Sequence, residues 1–347
     1  KAAMAGFADV PGTRIIVFYP KNGVSRVQEL QMLTQKGANT SVVGIEGNFD
    51  DAQTGVKKIF GDKEFAKELD AMGFQLSSAN SINIGRLVPQ VVYYVYAYAK
   101  LLANGEIEKN EKVNVVVPTG NFGNILAAYF AKQMGVPFGK LICASNDNKV
   151  LYDFFKTGVY DKNRPFILTS SPSMDILISS NLERLIYLST GCDAEETKKR
   201  MEELSKDGKY SVTDEMRARM ADFVGGYADQ AANAAEIKRL YDETGYMIDT
   251  HTGVASCVYH NYVKETGDTK KTVIASTASP YKFSRSVMEA IFGSEEGKGE
   301  FELIDEMEKA SGVKIPQAIE EIRKAEIRHN RQCKPEEMEK TVSEILQ

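Results

Sequence analysis

Tryptophan is absent from this sequence, and histidine and cysteine are scarce, with 3 and 4 residues among 347. The histidines and cysteines are His251, His260, His329, Cys143, Cys192, Cys257 and Cys333. No two of them stand at the C-x-x-C or H-x-x-x-H spacing of common zinc and iron–sulfur sites, which argues against a metal centre. Widely separated cysteines in apolar or helical surroundings are typical of reduced core thiols and predict a cytoplasmic protein.

Long apolar runs and an excess of positive charge are missing as well. No segment approaches the roughly 18 apolar residues of a transmembrane helix, so no association with a membrane is predicted. Lysine and arginine number 43 against 48 aspartate and glutamate, which leaves a net charge of −5. A nucleic-acid-binding protein needs the opposite balance to bind phosphates. The length of 347 residues predicts about two soluble domains.

Strand-like and helix-like segments alternate along most of the chain. TRIIVFYP, TSVVGI, VNVVVP, KLICAS and TVIAST predict strands, and segments of helical periodicity separate them. This alternation predicts an α/β fold with parallel sheets. The expected organisation is a smaller α/β domain over 1–76, a large α/β domain over 77–295 with a helical insertion at about 151–250, and a helical C-terminal segment over 296–347. Within the insertion, the pattern predicts one helix from Met216 to Glu243.

PTGNFGN, from Pro118 to Asn124, joins an apolar strand to a helix. Its glycines permit close backbone approach, and the start of a helix offers free N–H groups and a positive dipole end. These properties favour a phosphate site, although the motif is neither a P-loop nor a dinucleotide fingerprint. An ordinary glycine-rich turn is the alternative.

SANSINIGR, from Ser78 to Arg86, places short polar side chains at the entrance to a helix. Asn80, Ser81 and Asn83 could hydrogen-bond an anion, and the guanidinium of Arg86 could neutralise it. A helix cap followed by a solvated arginine explains the same residues and is favoured when the motif is taken alone.

Two further polar segments follow predicted elements. STASP, from Ser276 to Pro280, ends a strand, where ligands of open α/β sheets bind. Its alternative is a turn that uses hydroxyl groups for backbone bonds. DTHTG contains His251, for which a packing or capping role is favoured over acid–base chemistry because no nucleophile is paired with it.

Seven segments taken together, in order, carry a resemblance to a known family. They are FYPKNGVSRVQELQM, GNFDDAQ, SANSINIGR, PTGNFGN, SPSMDILISSNLERL, DTHTGVA and STASPYKF. The sequence resembles threonine synthase, a pyridoxal-phosphate enzyme of the tryptophan-synthase-β structural class, from Lys1 to about residue 294. The last three segments resemble its longer bacterial and fungal branch. The resemblance implies two open parallel-sheet α/β domains of fold type II, a monomeric or homodimeric protein, and pyridoxal 5'-phosphate as cofactor.

The resemblance also implies roles for particular residues. The residues that match the cofactor site are Gly120, Asn121, Phe122, Gly123 and Asn124, for the phosphate, and Thr277, for the pyridine nitrogen. The residues that match the substrate-phosphate site are Asn80, Ser81, Asn83, Arg86 and Lys21. The implied reaction converts O-phospho-L-homoserine and water to L-threonine and phosphate. A related phospholyase, a serine or threonine dehydratase of the same fold, and a non-catalytic phosphate-binding protein are the alternatives.

One part of the family pattern has no counterpart. The Schiff-base lysine of the family belongs to a motif resembling P-T-x-x-F-K-D, which does not occur in these 347 residues. The family places that motif before the segment that matches Lys1, and the helix-like opening KAAMAGFA has no preceding residue to cap it. We therefore expect a chain truncated at its N-terminus, with no catalytic residue of its own and no activity alone.

Overall fold

The computed structural model describes residues 2–21, 23–47, 49–79 and 83–347. The helices are α1 (Ala2–Phe7), α2 (Arg26–Leu33), α3 (Phe49–Gly61), α4 (Lys63–Ala71), α5 (Ile84–Leu87), α6 (Val91–Ala103), α7 (Gly123–Gln133), α8 (Val150–Thr157), α9 (Leu182–Ser189), α10 (Ala194–Asp207), α11 (Asp214–Arg219), α12 (Gln230–Thr244), α13 (Thr250–Thr266), α14 (Ser284–Phe292), α15 (Glu300–Ser311), α16 (Gln317–Lys324) and α17 (Met338–Leu346). The strands are β1 (Ile15–Pro20), β2 (Thr40–Ile45), β3 (Val113–Pro118), β4 (Phe138–Ser145), β5 (Val159–Asp161), β6 (Lys209–Ser211), β7 (Phe223–Tyr227), β8 (Thr272–Ile274) and β9 (Arg331–Cys333). Two compact units are formed, Lys1–Ala79 with Lys298–Gln347, and Asn80–Gly297.

The first unit contains a three-stranded parallel sheet in the order β1-β2-β9. Strand β9 comes from the last part of the chain and pairs with β2, placing Cys333 beside Ile45. A separate helical segment over 296–347 is expected from the sequence, whereas the structure joins Lys298–Gln347 to the first unit. The sequence does not reveal β9 because its three residues, RQC, are too few and too polar to show a strand period.

The second unit contains a four-stranded parallel sheet in the order β7-β4-β3-β8. Helices cover both of its faces, so β3 is buried along its whole length and is apolar almost throughout. Val115 and Val117 face the cluster that includes side chains of α6, α7 and α8. Val116 and Ile142 face α13 on the other side. Together the two units confirm the predicted α/β class with open parallel sheets.

The region predicted as a helical insertion is not helical throughout. The single helix expected from Met216 to Glu243 is wrong, because β7 lies inside it and pairs with β4. Its glycines permit close packing: a Cβ on Gly225 would lie 3.1 Å from the Cα of Tyr152, and one on Gly226 would collide with Val258. Strands β5 and β6 form an antiparallel pair in the same region. The glycines therefore mark a strand under close backbone approach, not a softened helix.

The cysteines follow the expectation of free core thiols with one exception. All four are unpaired; Cys143 and Cys333 are buried, and Cys257 is half-buried. Cys192 is exposed in a turn with φ of 67°, so the expectation of a core position is wrong for it. Within the described ranges, no helix has the length and apolar content to cross a membrane. The same residues include no group of three or more His, Cys, Asp or Glu side chains placed to bind a metal ion.

Candidate functional site

The carboxyl ends of four parallel strands meet at one edge of the second unit's sheet. Strand β3 has β4 on one side and β8 on the other, so the order of strands reverses at β3. Such a switch point forms the crevice in which open α/β sheets bind their ligands. Gly120 follows β3, and Thr277, which is exposed, follows β8. The structure therefore places two of the predicted cofactor segments at the same edge.

The loop after β3 is anchored by Phe122, which is 1% exposed. Its ring packs against those of Phe155 and Phe223, with centroids 6.0 and 5.6 Å away. Phe122 adopts the left-handed conformation, with φ of 64°, which is rare for a residue with a large side chain. Burial of the ring in the core holds the loop in this unusual path and turns the chain into α7.

Gly120 lies directly beneath another loop. A Cβ at this position would lie 2.5 Å from the carbonyl oxygen of Ser173, so no side chain fits there. The hydroxyl of Ser179 donates a hydrogen bond to the Gly120 carbonyl oxygen at 2.7 Å. The glycine is therefore required by the close approach of the 171–179 segment, which stabilises the loop from one side.

Two asparagines fix the remainder of the loop. The Asn121 carbonyl oxygen accepts hydrogen bonds from the backbone N–H of Asn181 at 3.1 Å and from its side chain at 3.0 Å. The Asn124 side chain accepts a bond from the hydroxyl of Tyr94, a phenol whose pKa is raised by burial. Neither Ser179 nor Asn181 is predicted as a site residue from the sequence, although both lie in SPSMDILISSNLERL, one of the seven segments that carry the resemblance.

Several backbone N–H groups of this loop have no acceptor among the described residues. In the part of the chain that the structure describes, no acceptor is found for the N–H groups of Gly120, Asn121, Phe122, Gly123 or Asn124. Helix α7 starts at Gly123, and its N-cap residue, Phe122, provides no capping side chain. Several unsatisfied N–H groups at the positive end of a helix dipole form a geometry suited to a phosphate or another anion.

A buried network at the start of α13 lies behind this edge. Asp249 caps the helix by accepting the backbone N–H of His251 at 2.9 Å. The imidazole of His251 is buried against Phe283, with ring centroids 4.8 Å apart. The capping and packing interpretation of this motif is confirmed. Thr252, one residue further, lies 3.1 Å from the hydroxyl of Ser276.

The predicted substrate-phosphate residues are described only in part. Asn80 and Ser81 lie outside the described residues. Asn83 caps α5, and its side chain accepts the backbone N–H of Gly85 at 2.9 Å. Arg86 is exposed on the same short helix, which contacts α7. The capping role of Asn83 is confirmed, and phosphate binding by this segment stays a prediction.

Lys21 belongs to the first unit, where it follows β1. Its ammonium group donates a hydrogen bond to the side-chain oxygen of Gln332 in β9 at 2.8 Å. The structure thus gives Lys21 a partner within its own unit, and a role toward a substrate stays a prediction.

A cavity of about 650 Å³ lies in the second unit, beside the loop after β3. Its lining residues are Ile84, Phe130, Ser180, Asn181, Glu183, Arg184, Tyr187, Leu188, Ala194, Thr197, Lys198 and Met201. Ser180 connects the cavity to the loop, because its hydroxyl lies 3.3 Å from the side-chain oxygen of Asn121. This cavity could not be predicted from the sequence, since its walls come from four separate elements.

No family model matches the chain, but individual known proteins are similar to it. Threonine synthase-like 1 of Macaca fascicularis is 42% identical over 280 residues, which cover 80% of this chain and 37% of that protein. Threonine synthase of Saccharomyces cerevisiae is 36% identical over 329 residues, which cover 90% of this chain and 62% of that protein. The chain therefore spans between about one third and two thirds of the length of these relatives.

A solved structure extends the similarity to the whole fold. The crystal structure of a PLP-bound threonine synthase from Brucella melitensis superposes with a TM-score of 0.82 at 32% identity. The match covers all of this chain and 68% of that one. Similarity of sequence and of fold over this extent shows that the chain belongs to the threonine synthase family.

Proposed function

We propose that the protein containing this chain is a threonine synthase that uses pyridoxal 5'-phosphate. In this proposal it converts O-phospho-L-homoserine and water to L-threonine and phosphate, as a carbon–oxygen lyase acting on phosphates. The observation that carries the proposal is the set of unsatisfied N–H groups from Gly120 to Asn124 at the switch point of the sheet. The family to which the chain belongs supports the same assignment.

The residues at the sheet edge fit the proposed cofactor. Backbone N–H groups of the loop would donate hydrogen bonds to its phosphate without any cationic side chain, as helix starts do for other phosphates. The loop packs closely against the 171–179 segment, because a Cβ on Gly120 would lie 2.5 Å from the carbonyl oxygen of Ser173. When bound, pyridoxal phosphate supplies an electron sink for negative charge that develops on an amino-acid substrate.

Thr277 is the proposed partner of the pyridine nitrogen. It follows β8 at the switch point and is exposed at the edge of the sheet. A hydroxyl group is neutral, so it can hydrogen-bond the nitrogen but cannot hold it protonated as a carboxylate would. Thr277 would orient the ring and moderate the strength of the electron sink.

The SANSINIGR segment is the proposed site of the substrate phosphate. The family resemblance assigns Asn80, Ser81, Asn83, Arg86 and Lys21 to this anion. The exposed guanidinium of Arg86 lies on a helix that contacts α7, the helix that begins at the proposed cofactor site. A guanidinium presents two parallel donors to a phosphate, which fixes the orientation as well as the charge of the substrate.

The proposed reaction also needs a lysine to carry the cofactor and to move protons. The motif resembling P-T-x-x-F-K-D is absent from the 347 residues. We accordingly propose that this chain alone does not turn over substrate, and that activity belongs to the full natural chain.

A phospholyase that releases ketobutyrate in place of threonine is the second candidate. The identities of 42% to threonine synthase-like 1 and 36% to yeast threonine synthase do not distinguish the two reactions. Such an enzyme would share the cofactor loop and the substrate-phosphate segment, and would differ in whether water is added before release of the product.

Product analysis separates these candidates. The full natural chain, loaded with pyridoxal phosphate, is incubated with O-phospho-L-homoserine, and phosphate, threonine and ketobutyrate are measured. Equal amounts of phosphate and threonine are expected. Phosphate with ketobutyrate would establish the phospholyase instead, and the absence of phosphate release would refute both.

The Arg86→Ala variant tests the substrate-phosphate segment. Loss of a bidentate charged contact is expected to raise KM for O-phospho-L-homoserine about 100-fold. Arg217→Ala is the matched control, because Arg217 is exposed on α11 and its guanidinium bonds to the Lys156 carbonyl. An unchanged KM in Arg86→Ala would remove this segment from the site and favour a dehydratase of the same fold.

A further inference from the structure

One carboxylate is buried at the start of α13 and has more partners than a helix cap requires. Asp249 is 0% exposed. Besides the backbone N–H of His251, it bonds to the imidazole of His251 at 3.0 Å and accepts the hydroxyl proton of Thr252. Burial alone would raise the pKa of Asp249, but these hydrogen bonds outweigh burial and lower it. The side chain is therefore a buried anion held by two neighbouring side chains.

His251 connects this carboxylate to the 171–179 segment, which packs against the loop after β3. The backbone N–H of Ser173 donates to Nε2 of the imidazole at 3.2 Å. Because Nε2 accepts this proton, Nδ1 carries the ring hydrogen and donates it to Asp249. The carbonyl of the same residue, Ser173, is the group that closes over Gly120. Ser173 is thus the single residue that links His251 to the proposed phosphate loop.

Thr252 connects the same carboxylate to the loop after β8. Its hydroxyl lies 3.1 Å from that of Ser276, and Ser276 precedes Thr277. One buried anion is therefore linked to both loops of the switch point, through His251 and Ser173 on one side and through Thr252 on the other. A helix cap would need only the backbone contact of Asp249, so capping does not explain the two side-chain connections.

We propose that Asp249, His251 and Thr252 act as a clamp that fixes the loop of Gly120 relative to the loop of Thr277. The three are positioning residues: they would set the distance between the donors for a phosphate and the hydroxyl for a pyridine nitrogen, which are the two ends of one ligand. This inference rests on the proposed cofactor. Preorganised loops bind a rigid ligand more tightly because less conformational freedom is lost on binding.

Equilibrium binding of pyridoxine 5'-phosphate to the apo form of the full natural chain tests the clamp. This probe has the ring and the phosphate of the cofactor but no aldehyde, so it cannot react with lysine. His251→Ala and Thr252→Val are each expected to weaken its binding about 10-fold, by removing one connection of the buried carboxylate. His251→Gln keeps an acceptor for Ser173, and Thr252→Ser keeps the hydroxyl, so both should recover most of the affinity.

Two comparisons separate positioning from plain destabilisation. His260→Ala alters another histidine of α13, which pairs with Glu236 at 2.9 Å, and should leave probe binding unchanged. Pyridoxine, which lacks the phosphate, should lose less affinity than pyridoxine 5'-phosphate in His251→Ala, since only the phosphate loop is loosened. Loss that follows the unfolding midpoint across all variants, or equal affinity in the alanine and glutamine variants, would overturn the clamp.

The outcome also distinguishes the clamp from the function on which it rests. If the unaltered apo protein binds neither pyridoxine 5'-phosphate nor pyridoxal 5'-phosphate, the proposed cofactor is refuted. If it binds both and His251→Ala and Thr252→Val bind equally well, the cofactor stands and the clamp is refuted.

Discussion

The two parallel sheets of this chain are assembled in different ways. In the Asn80–Gly297 unit, β3 and β4 pair from Val113 to Pro118, and apolar clusters cover both faces. In the other unit, β2 is completed on one side by β9, whose three residues come from the last part of the chain. A strand recruited from so far along the sequence carries a larger loop-closure cost and contributes few hydrogen bonds. The candidate site thus stands on the sheet whose central strand β3 is buried along its whole length.

The largest effect is expected where the edge of this sheet is most tightly packed. In Gly120→Val, the new side chain would meet the carbonyl of Ser173, 2.5 Å from the position of its Cβ. The unfolding free energy should fall by about 3 kcal/mol, and binding of pyridoxine 5'-phosphate should be lost. Denaturant unfolding and equilibrium dialysis measure the two effects.

Gly61→Ala is the control for this substitution, because a Cβ on Gly61 meets nothing within 4 Å. Its stability should change by less than about 1 kcal/mol. Normal stability and ligand binding in Gly120→Val would show that the edge is far more compliant than its packing indicates.

A smaller loss is expected from the other sheet. Met338 of α17 is 1% exposed and belongs to the apolar cluster that contains Cys333 of β9. In Met338→Ala, the cavity should reduce the unfolding free energy by about 2 kcal/mol, at the low end for such substitutions because half-buried neighbours can relax into it. Alkylation of Cys333 should become faster while that of Cys143 stays unchanged. Equal acceleration at both thiols would mean that the two sheets open as one cooperative unit.

The smallest expected effect is a difference in reactivity among the cysteines of the unaltered protein. Burial raises the pKa of the Cys143 thiol in β4 to about 12, and burial also raises the pKa of Cys333. The thiolate is the reactive form, so at pH 8 iodoacetamide should modify exposed Cys192 first, Cys333 next and Cys143 last. Mass spectrometry of peptides over time gives the order. Modification of Cys143 before Cys333 would mean that β4 is less protected than β9.

The same contrast governs how much of the fold could be predicted from the sequence. Strands β3 and β4 carry continuous apolar runs, and TRIIVFYP and TSVVGI predict β1 and β2, because local composition is sufficient there. The sequence predicts a helix where β7 lies, because its two glycines show no strand alternation. The close packing of Tyr152 and Val258 that requires these glycines is visible only in the structure. Strand β9 is not predicted either, since its pairing depends on a distant strand.

Part of the candidate site could be predicted from the sequence, and part could not. The glycine loop at Gly120 and the hydroxyl at Thr277 could be assigned to one edge, because parallel strands place their carboxyl ends together. The connection from His251 to Ser173 could not be foreseen, since it joins residues far apart in sequence through a single ring nitrogen. The predicted packing role of His251 is correct, but the sequence does not show that Nε2 of its ring contacts the backbone N–H of Ser173.

The absence of a capping side chain on α7 has a thermodynamic consequence. Most helices gain stability at their first turn from a Ser, Thr, Asp or Asn side chain, and Phe122 provides none. An anion bound there would take the place of the cap, so the folding of this unit and its occupancy by ligand are linked. Once ligand exceeds its dissociation constant, each tenfold increase in concentration should add about 1.4 kcal/mol to the folding free energy. The melting temperature of the protein would thus report the ligand concentration relative to the dissociation constant.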